Sequence, residues 1–312
     1  METTPIRRAA IDIGTVTTRL LIADVSGFSV TEITRRTVVT HLGEGLHLTG
    51  ELSADAIGRV ADAVGGFMRD IVDAGVEDVV AVATSAARDA TNGREFLDRL
   101  ESVGIRPRII SGATEANVSF LGATSAIDDD DVLVADLGGG STELVFGSAH
   151  DTDEGRVVRI SAARSIDVGS RRVLDMFLAS DPPSGDELSA ARAWVADEMR
   201  PFFAALPERP RTLLTLAGTG TTLSAVRQQL AVYDPAKVHG SRLTGGDIAD
   251  LREELAAMTL CDRRTVIGMD PDRAEVIVAG ALILETILAL AGLDSTIVSE
   301  HDILYGLVIE GA

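Results

Sequence analysis

The most constraining feature of this sequence is a short pattern that occurs twice, once near the start and once in the middle. The first copy is Asp12-Ile13-Gly14-Thr15 and the second is Asp136-Leu137-Gly138-Gly139-Gly140-Ser141-Thr142, and an apolar run follows each. Each copy predicts a strand that ends in an aspartate, a turn of glycine and hydroxyl residues, and a second strand. Glycines let backbone N–H groups approach an anion, and an aspartate can hold a divalent cation against it. One copy alone would indicate only an ordinary turn, but the pair predicts two similar domains facing each other across a phosphate-binding cleft.

The length and the charge of the chain narrow the classes of protein to which it can belong. Its 312 residues favour two domains over one, and no uncharged apolar run reaches about 18 residues, which predicts no membrane span. The net charge of −20 argues against nucleic-acid binding. A polyanionic substrate would have to be held by local arginines, backbone amides and a metal. Cys261 is the only cysteine, and the polar N-terminus leads directly into a predicted strand, so we expect no disulfide, no secretion signal and a cytoplasmic location.

Both halves of the sequence predict three consecutive strands followed by alternating helices and strands. This order indicates an α/β duplication with mixed sheets. The acidic run Asp128–Asp131 predicts a surface loop at the domain boundary, which gives an N-terminal domain over 1–124 and a C-terminal domain over 125–312. The last predicted helix, within 301–312, is expected to pack back on the N-terminal domain.

A third segment rich in glycine and threonine, Gly218-Thr219-Gly220-Thr221, follows a predicted buried strand and precedes a predicted helix. The free N–H groups and the dipole of a helix N-terminus favour an anion, so this turn is a further candidate phosphate site. No lysine follows the glycines, which excludes a nucleotide P-loop. The alternative is an ordinary helix start.

Three charged residues lie where a phosphate site would need them. Glu115 falls in the first turn of a predicted helix, Glu143 follows the second glycine turn, and Arg88 follows a buried strand at the edge where ligands of parallel sheets gather. Each has a structural alternative: a helix-start acid, a solvent-facing strand position and an ion pair, respectively. The five histidines show no ligand spacing, and the sequence has no Gly-x-Ser-x-Gly or cysteine–histidine nucleophile pattern.

Seven segments together carry a family resemblance that covers almost the whole chain. They are 10–15 with 19–23, 41–46, 83–90, 110–116, 136–144, 216–221 and 273–280. With them the sequence resembles the exopolyphosphatase and guanosine pentaphosphate phosphohydrolase (Ppx/GppA) family, within the actin, sugar-kinase and Hsp70 superfamily. The block from Ser111 to Leu144 is the most specific part.

The resemblance implies two actin-like, ribonuclease H-like α/β domains with mixed sheets, related by duplication, and an active site in the cleft between them. It implies hydrolysis of a terminal phosphoanhydride by a cytoplasmic enzyme of phosphate metabolism and the stringent response. We expect a homodimer. Glu115 matches the catalytic glutamate of the family, although Thr114 replaces the first of its two usual adjacent glutamates. Asp136 and Glu143 match essential acidic positions.

The residues and the resemblance together predict a complete site. Water attacks the terminal phosphorus, and Glu115 accepts its proton directly or through Glu143. Magnesium, or another divalent cation, associates with Asp12 and Asp136, and potassium is an expected activator. The predicted phosphate ligands are two arginines and the residues of the three turns: Arg19, Arg88, Gly14, Thr15, Thr17, Gly138, Gly139, Gly140, Ser141, Thr142, Gly218, Thr219, Gly220 and Thr221.

The predicted substrate is inorganic polyphosphate, and guanosine pentaphosphate (pppGpp) is the alternative with the same chemistry. Residues 299–306 lack an arginine that family members often carry there, and the extra C-terminal helical region of longer members is missing, so we expect a preference for short chains. Two other functions stay open: a kinase or ATPase of the same superfamily, and a non-catalytic sensor of alarmones or phosphate. We expect neither nucleic acid nor membrane as a partner.

Overall fold

The computed structural model describes residues 4–125, 129–152 and 155–311, and these divide into two compact units. The first unit comprises the described residues up to 125 together with those from 301 onward. The second unit comprises the described residues from 129 to 300. The first unit is therefore built from two separate stretches of the chain.

The first unit contains a five-stranded mixed sheet in the order β3-β2-β1-β4-β5. Strands β1, β2 and β3 are antiparallel, and β4 and β5 run parallel to β1. The strands are β1 (Ile6–Ile13), β2 (Thr17–Ser26), β3 (Ser29–Val39), β4 (Asp78–Ala83) and β5 (Arg108–Ile109). The first Asp-x-Gly segment thus connects β1 to β2, as the sequence predicts.

Helices cover both faces of this sheet, because successive side chains of a strand point to opposite faces. Ile11 and Ile13 pack in one apolar cluster with residues of α2, and Ala10 packs in another with residues of α5 and α13. The helices of the first unit are α1 (Leu46–Thr49), α2 (Ala54–Asp73), α3 (Ser85–Asp89), α4 (Gly93–Glu101), α5 (Gly112–Ala123) and α13 (Ile303–Glu310).

Two glycines let α5 and α13 cross at very short range. A Cβ atom at Gly122 would lie 1.9 Å from the carbonyl oxygen of Asp302, and one at Gly306 would lie 2.0 Å from that of Val118. Any side chain at either position would collide with backbone. The two helices therefore hold each other in a fixed register.

The second unit contains a six-stranded mixed sheet in the order β10-β11-β9-β6-β7-β8. Strands β6, β7 and β8 are antiparallel, β9 and β11 run parallel to β6, and β10 is antiparallel to β11. The strands are β6 (Asp129–Leu137), β7 (Thr142–Thr152), β8 (Gly155–Ile166), β9 (Thr212–Leu216), β10 (Arg242–Thr244) and β11 (Ser295–Val298). The helices are α6 (Ser170–Phe177), α7 (Gly185–Ala204), α8 (Ala217–Arg227), α9 (Pro235–Val238), α10 (Gly245–Ala256), α11 (Leu260–Arg263) and α12 (Ile277–Ala291). The prediction of an α/β fold with two mixed sheets is confirmed.

The prediction of a loop at the acidic run is wrong for the part that the structure describes. Asp129 to Asp131 belong to β6, and Asp128 lies outside the described residues. Partners distant in sequence satisfy these carboxylates: Thr212 donates to Asp129 at 2.8 Å, and Arg211 pairs with Asp131 at 2.9 Å. The run of like charge can therefore continue as a strand.

Within the described ranges, every helix is too short or too polar to cross a bilayer.

Candidate active site

The first hairpin places an aspartate and an arginine opposite each other at its closed end. Asp12 on β1 is the register partner of Arg19 on β2, and the N–H of Gly14 donates to the carbonyl of Thr17 at 2.9 Å to close the turn. The carbonyl of Thr15 accepts from the N–H of Gly43 at 2.9 Å. The predicted residues of this turn thus lie together at the carboxyl end of β1.

Arg19 lies between two buried carboxylates. Its Nε and Nη2 both donate to Oδ2 of Asp12, at 3.1 and 2.6 Å, and its Nη1 donates to Oδ2 of Asp302 on the N-terminal side of α13. We predicted Arg19 as a phosphate ligand, but here its guanidinium binds protein carboxylates. A phosphate at this position would have to compete with both ion pairs.

Asp12 has the properties of a ligand for a hard divalent cation. The residue is 4% exposed, and its Oδ1 is buried without a hydrogen-bond partner. Burial raises the pKa of Asp12, and the charge and hydrogen bonds of Arg19 oppose that rise. An unpartnered buried carboxylate oxygen is costly unless something occupies it, so the residues present fit a bound cation.

The donor set favours a cation that keeps much of its water. Among the described residues, no group of three or more His, Cys, Asp and Glu side chains could hold a metal ion. Mg²⁺ is commonly bound through one or two carboxylates while it keeps several waters. This is the arrangement that the sequence predicts for Asp12 and Asp136.

Glu115 is buried at the start of α5 beside Arg88. Ser111 caps that helix by accepting from the N–H of Thr114 at 3.1 Å, so Glu115 lies in the first turn and is 8% exposed. Arg88 donates from Nη1 to Oε2 of Glu115 at 3.2 Å and to the carbonyl of Ile110 at 3.0 Å. Arg88, predicted as a phosphate ligand, thus forms the ion pair that was its structural alternative, and its partner is the predicted catalytic carboxylate.

Ser85 and Asp302 are candidates that the sequence reasoning missed. The Oγ of Ser85 is buried without a partner, directly after Thr84, whose N–H donates to the carbonyl of Ile13 at 3.1 Å. The rule that selected Arg88, a polar residue at the end of a parallel strand, would also have found Ser85. No such signal marks Asp302, because an aspartate directly before an apolar helix indicates an ordinary helix cap.

In the second unit, Glu143 occupies the place that Arg19 has in the first. It is the register partner of Asp136, and it is 2% exposed, so the alternative of a solvent-facing position is wrong. Its Oε1 accepts from the hydroxyls of Ser141 at 2.8 Å and Ser165 at 2.6 Å. The two hydroxyl donors hold this carboxylate in one orientation.

The glycine turn of the second hairpin is fixed from one side by the start of α6. The N–H of Ser170 donates to the carbonyl of Gly138 at 3.0 Å, and that of Arg171 to the carbonyl of Gly139 at 2.8 Å. The Nε of Arg172 donates to the carbonyl of Gly140 at 2.8 Å.

This arrangement has a consequence for anion binding. In a trans peptide the C=O and N–H point in opposite directions, so the N–H groups of Gly139, Gly140 and Ser141 point away from α6. Successive N–H groups on one side of a turn can act as an anion-binding nest. Thr142 instead donates its hydroxyl to the carbonyl of Val168 at 2.5 Å, which leaves that hydroxyl a structural role.

The prediction of a turn at Gly218 to Thr221 is wrong, because these residues lie inside α8, which begins at Ala217. Close packing explains the glycines: a Cβ atom at Gly218 would lie 1.5 Å from Nη1 of Arg273, and one at Gly220 would lie 2.8 Å from Cγ2 of Thr215. Thr221 donates to the carbonyl of Ala217 at 3.3 Å. Arg273 therefore lies over the start of α8 and supplies the positive charge that this segment lacks.

Each unit thus gathers part of the predicted site by itself. The first unit brings together, at the carboxyl ends of its strands, Asp12, Gly14, Thr15, Thr17, Arg19, Arg88 and Glu115. The second unit gathers Asp136, Gly138, Gly139, Gly140, Ser141, Thr142 and Glu143 at the β6–β7 turn, and Gly218, Thr219, Gly220 and Thr221 at the end of β9.

Comparisons with known proteins agree over nearly the whole chain. The model of the Ppx/GppA phosphatase family matches residues 21–310. Among curated relatives, exopolyphosphatase 2 of Mycobacterium tuberculosis is 39% identical over 320 residues, which covers 97% of this chain and 98% of the relative.

Solved structures of similar proteins have the same fold. An exopolyphosphatase-like protein has a TM-score of 0.92 at 34% identity, covering 99% of this chain and 98% of its own. The Aquifex aeolicus member of the Ppx/GppA protein family has a TM-score of 0.80 at 31% identity, covering 98% of this chain and 97% of its own.

Proposed function

The chain belongs to the Ppx/GppA phosphatase family, and from that premise we propose that it is an exopolyphosphatase. The enzyme releases orthophosphate from the end of inorganic polyphosphate, with short chains preferred. The observation that carries this proposal is the likeness to a named exopolyphosphatase at 39% identity over 97% of this chain. The buried Glu115–Arg88 pair at the start of α5 supports it, since the proposed reaction needs a fixed carboxylate.

In the proposed reaction, the oxygen of a water molecule attacks the terminal phosphorus. The bond from that phosphorus to the bridging oxygen breaks, and the shortened chain leaves with the bridging oxygen and its electron pair. Glu115 orients the water and accepts its proton. Arg88 fixes the orientation of the Glu115 carboxylate through the 3.2 Å hydrogen bond. Positioning and electrostatic stabilisation supply most of the acceleration in phosphoryl transfer.

The nest of Gly139, Gly140 and Ser141 N–H groups binds phosphate oxygens in this proposal. Asp12, whose Oδ1 has no hydrogen-bond partner, would hold a divalent cation, with Asp136 as the proposed second ligand. When bound, the cation neutralises charge on the transferred phosphoryl group. Glu143, held by two serine hydroxyls, orders water near the nest.

One observation favours pppGpp as a second candidate substrate. Tyr233 is 47% exposed, donates its hydroxyl to Glu300, and lies within hydrogen-bonding reach of Thr221 and within electrostatic reach of Arg273. An exposed ring in the field of an arginine offers a nucleobase a stacking surface near a positive charge. The two substrates share the reaction proposed for Glu115.

Phosphate release from polyphosphates of defined length and from pppGpp, each with and without Mg²⁺, tests the proposal. We expect Mg²⁺-dependent release that is fastest with short polyphosphate. Faster release from pppGpp would favour the second candidate, and ATP-dependent phosphorylation of an acceptor would favour a kinase. Tight binding without any release would favour a sensor.

Further expectations accompany this function. We propose a cytoplasmic homodimer that K⁺ activates and that takes part in phosphate metabolism and the stringent response. Light scattering at several protein concentrations measures the oligomeric state. Replacing K⁺ with Na⁺ in the release assay measures the activation.

A further inference from the structure

Asp302 connects the last helix of the chain to the first hairpin. It is the N-cap of α13: its Oδ1 accepts from the N–H of Leu304 at 2.9 Å, while its Oδ2 accepts from Nη1 of Arg19. The residue is 3% exposed. A capping side chain that accepts from a backbone N–H is held in one orientation, so this position fixes the direction of the carboxylate.

Asp302 is fixed in place by helix packing as well as by its own hydrogen bonds. Its carbonyl lies against Gly122 of α5, where a Cβ atom would approach to 1.9 Å. Gly306, one turn further along α13, lies equally close to the backbone of Val118. The carboxylate therefore meets Arg19 from a rigid support.

The hydrogen bonds of Arg19 indicate how Asp302 affects Asp12. A guanidinium normally binds a carboxylate with two parallel bonds, one to each oxygen. Here Nη1 goes to Asp302, and Nε and Nη2 both go to the same oxygen of Asp12, Oδ2. This leaves Oδ1 of Asp12 without a partner.

The charges of the cluster formed by Asp12, Arg19 and Asp302 also favour cation binding at Asp12. Two carboxylates and one guanidinium give a net charge of −1, with side chains 5%, 4% and 13% exposed for Asp12, Asp302 and Arg19. In a poorly solvated site such an unbalanced charge attracts a cation strongly. Without the carboxylate of Asp302 the formal net charge would be zero, and the Nε–Nη2 fork of Arg19 could shift so that it spans both oxygens of Asp12.

We propose that Asp302 is a positioning residue for the divalent cation: by drawing Arg19 away, it keeps Oδ1 of Asp12 open and the cluster negative. This inference rests on the proposed function, in which Asp12 holds the cation. Asp302 itself contacts neither the substrate nor the reacting atoms. Its loss should weaken the binding of Mg²⁺ without changing the chemical step at saturating Mg²⁺.

Two variants separate this role from helix capping. Asp302→Asn removes the charge and keeps a capping oxygen, and Asp302→Ser keeps a capping hydroxyl that is too short to reach Arg19. The matched control is Asp24→Asn, because Asp24 pairs with Arg7 across the same two strands in an exposed position. Thermal melting of each variant checks that it is folded.

The measurement is the dissociation constant for Mg²⁺, obtained by calorimetry in the presence of imidodiphosphate, a non-hydrolysable phosphate. The second readout is the Mg²⁺ dependence of phosphate release. We expect both Asp302 variants to bind Mg²⁺ about tenfold more weakly, which corresponds to about 1.4 kcal/mol. We expect kcat at saturating Mg²⁺ within about threefold of wild type, and Asp24→Asn indistinguishable from wild type.

Unchanged Mg²⁺ affinity in the folded Asp302 variants would overturn the proposal, and so would an equal loss in Asp24→Asn. A fall in kcat with unchanged Mg²⁺ affinity would also overturn it. If Asp302→Asn does not fold, the Mg²⁺ affinity of Asp302→Ser alone tests the proposal. If the wild type releases no phosphate but its Mg²⁺ binding depends on Asp302 as expected, the proposed function fails and the positioning role stands.

Discussion

At the scale of single residues, the chain buries its candidate catalytic carboxylates and gives each a specific partner. Glu115 receives an arginine, and Glu143 receives two serine hydroxyls. These hydrogen bonds hold each carboxylate in one orientation. Both glutamates are thus prepared to act as bases or to order water.

We predict that catalysis depends on Glu115. Glu115→Gln removes the proton acceptor and keeps the shape, so we expect phosphate release to fall by about 100- to 10,000-fold while Mg²⁺-dependent binding of polyphosphate is retained. Glu95→Gln is the control, because Glu95 is also a first-turn glutamate of a helix in the same unit but is exposed. Near-normal release by Glu115→Gln would remove Glu115 from the catalytic role.

Some residues of the candidate site can be recognised from the sequence, whereas their distant partners cannot. Glu115, Arg88 and Asp12 are recognisable because each follows a strand or starts a helix within a few residues of a glycine or serine signal. The second carboxylate partner of Arg19 is not recognisable, because Asp302 is 283 residues away in sequence. Burial of Glu143 likewise depends on Ser165, which a neighbouring strand contributes.

At the scale of elements, close backbone contacts decide where helices can lie. The crossing of α5 and α13 depends on Gly306, whereas Gly58 on α2 has no atom within 4 Å of its potential Cβ. Both glycines are helical and neither has a positive φ. They form a matched pair in which only the surroundings differ.

We predict opposite effects for the same substitution at these two positions. Gly306→Ala should lower the free energy of unfolding by about 1–3 kcal/mol or more, because its methyl group meets the carbonyl of Val118. Gly58→Ala should raise it by about 0.5–1 kcal/mol, because alanine loses less backbone entropy in a helix. Denaturant unfolding followed by circular dichroism measures both. A stable Gly306→Ala would mean that the helices can separate at little cost.

A capping box in the second unit gives a prediction about pH. The carboxylate of Glu187 accepts from the backbone N–H of Ser184 at 2.7 Å and of Ser180 at 3.0 Å, and these bonds lower its pKa to about 2. Because the folded pKa lies below the unfolded value, the stabilisation is present above pH 4.5 and is lost as the pH falls towards about 2.

The variant Glu187→Gln should therefore be less stable than wild type at pH 6, and the difference should shrink as the pH falls from about 4.5 to about 2. Urea midpoints at pH 6, 4.5 and 3 test this, with Glu198→Gln on the exposed side of the same helix as the control. A difference that stays constant with pH would show that the charge of Glu187 does not contribute.

The helices and strands were predicted correctly where neighbouring residues determine them, and wrongly where residues distant in sequence determine them. The helix Gly112–Ala123 follows from the Ser111 cap, and both hairpins follow from their glycine turns. The turn predicted at Gly218 was wrong because the glycine serves close packing against Arg273, which lies 55 positions later in the sequence. The strand at Asp129 was missed because its partner Thr212 follows 83 residues later.

At the scale of the whole molecule, the net charge of −20 opposes a polyanionic substrate. Screening between exposed charges changes steeply at low salt, since the Debye length falls from about 30 Å at 0.01 M to about 10 Å at 0.1 M. Like-charge repulsion slows encounter, and salt relieves it.

We therefore predict that kcat/KM for short polyphosphate at saturating Mg²⁺ rises about two- to tenfold between these ionic strengths. Tetramethylammonium chloride should give this rise by screening alone, and any additional rise with KCl reports activation by K⁺. A steady fall with either salt would mean that local arginines and amides govern the encounter instead of the overall field.

The division of the first unit between both ends of the sequence has a consequence for synthesis in the cell. One apolar face of its sheet, including Val80 and Val82, is covered by α13, which the ribosome makes after the entire second unit. The part of that face that α13 covers stays exposed during translation until the helix emerges from the exit tunnel. The second unit can fold on the ribosome, whereas the first cannot complete this apolar cluster before its last helix is made, so we expect a chaperone to protect this face of the nascent chain.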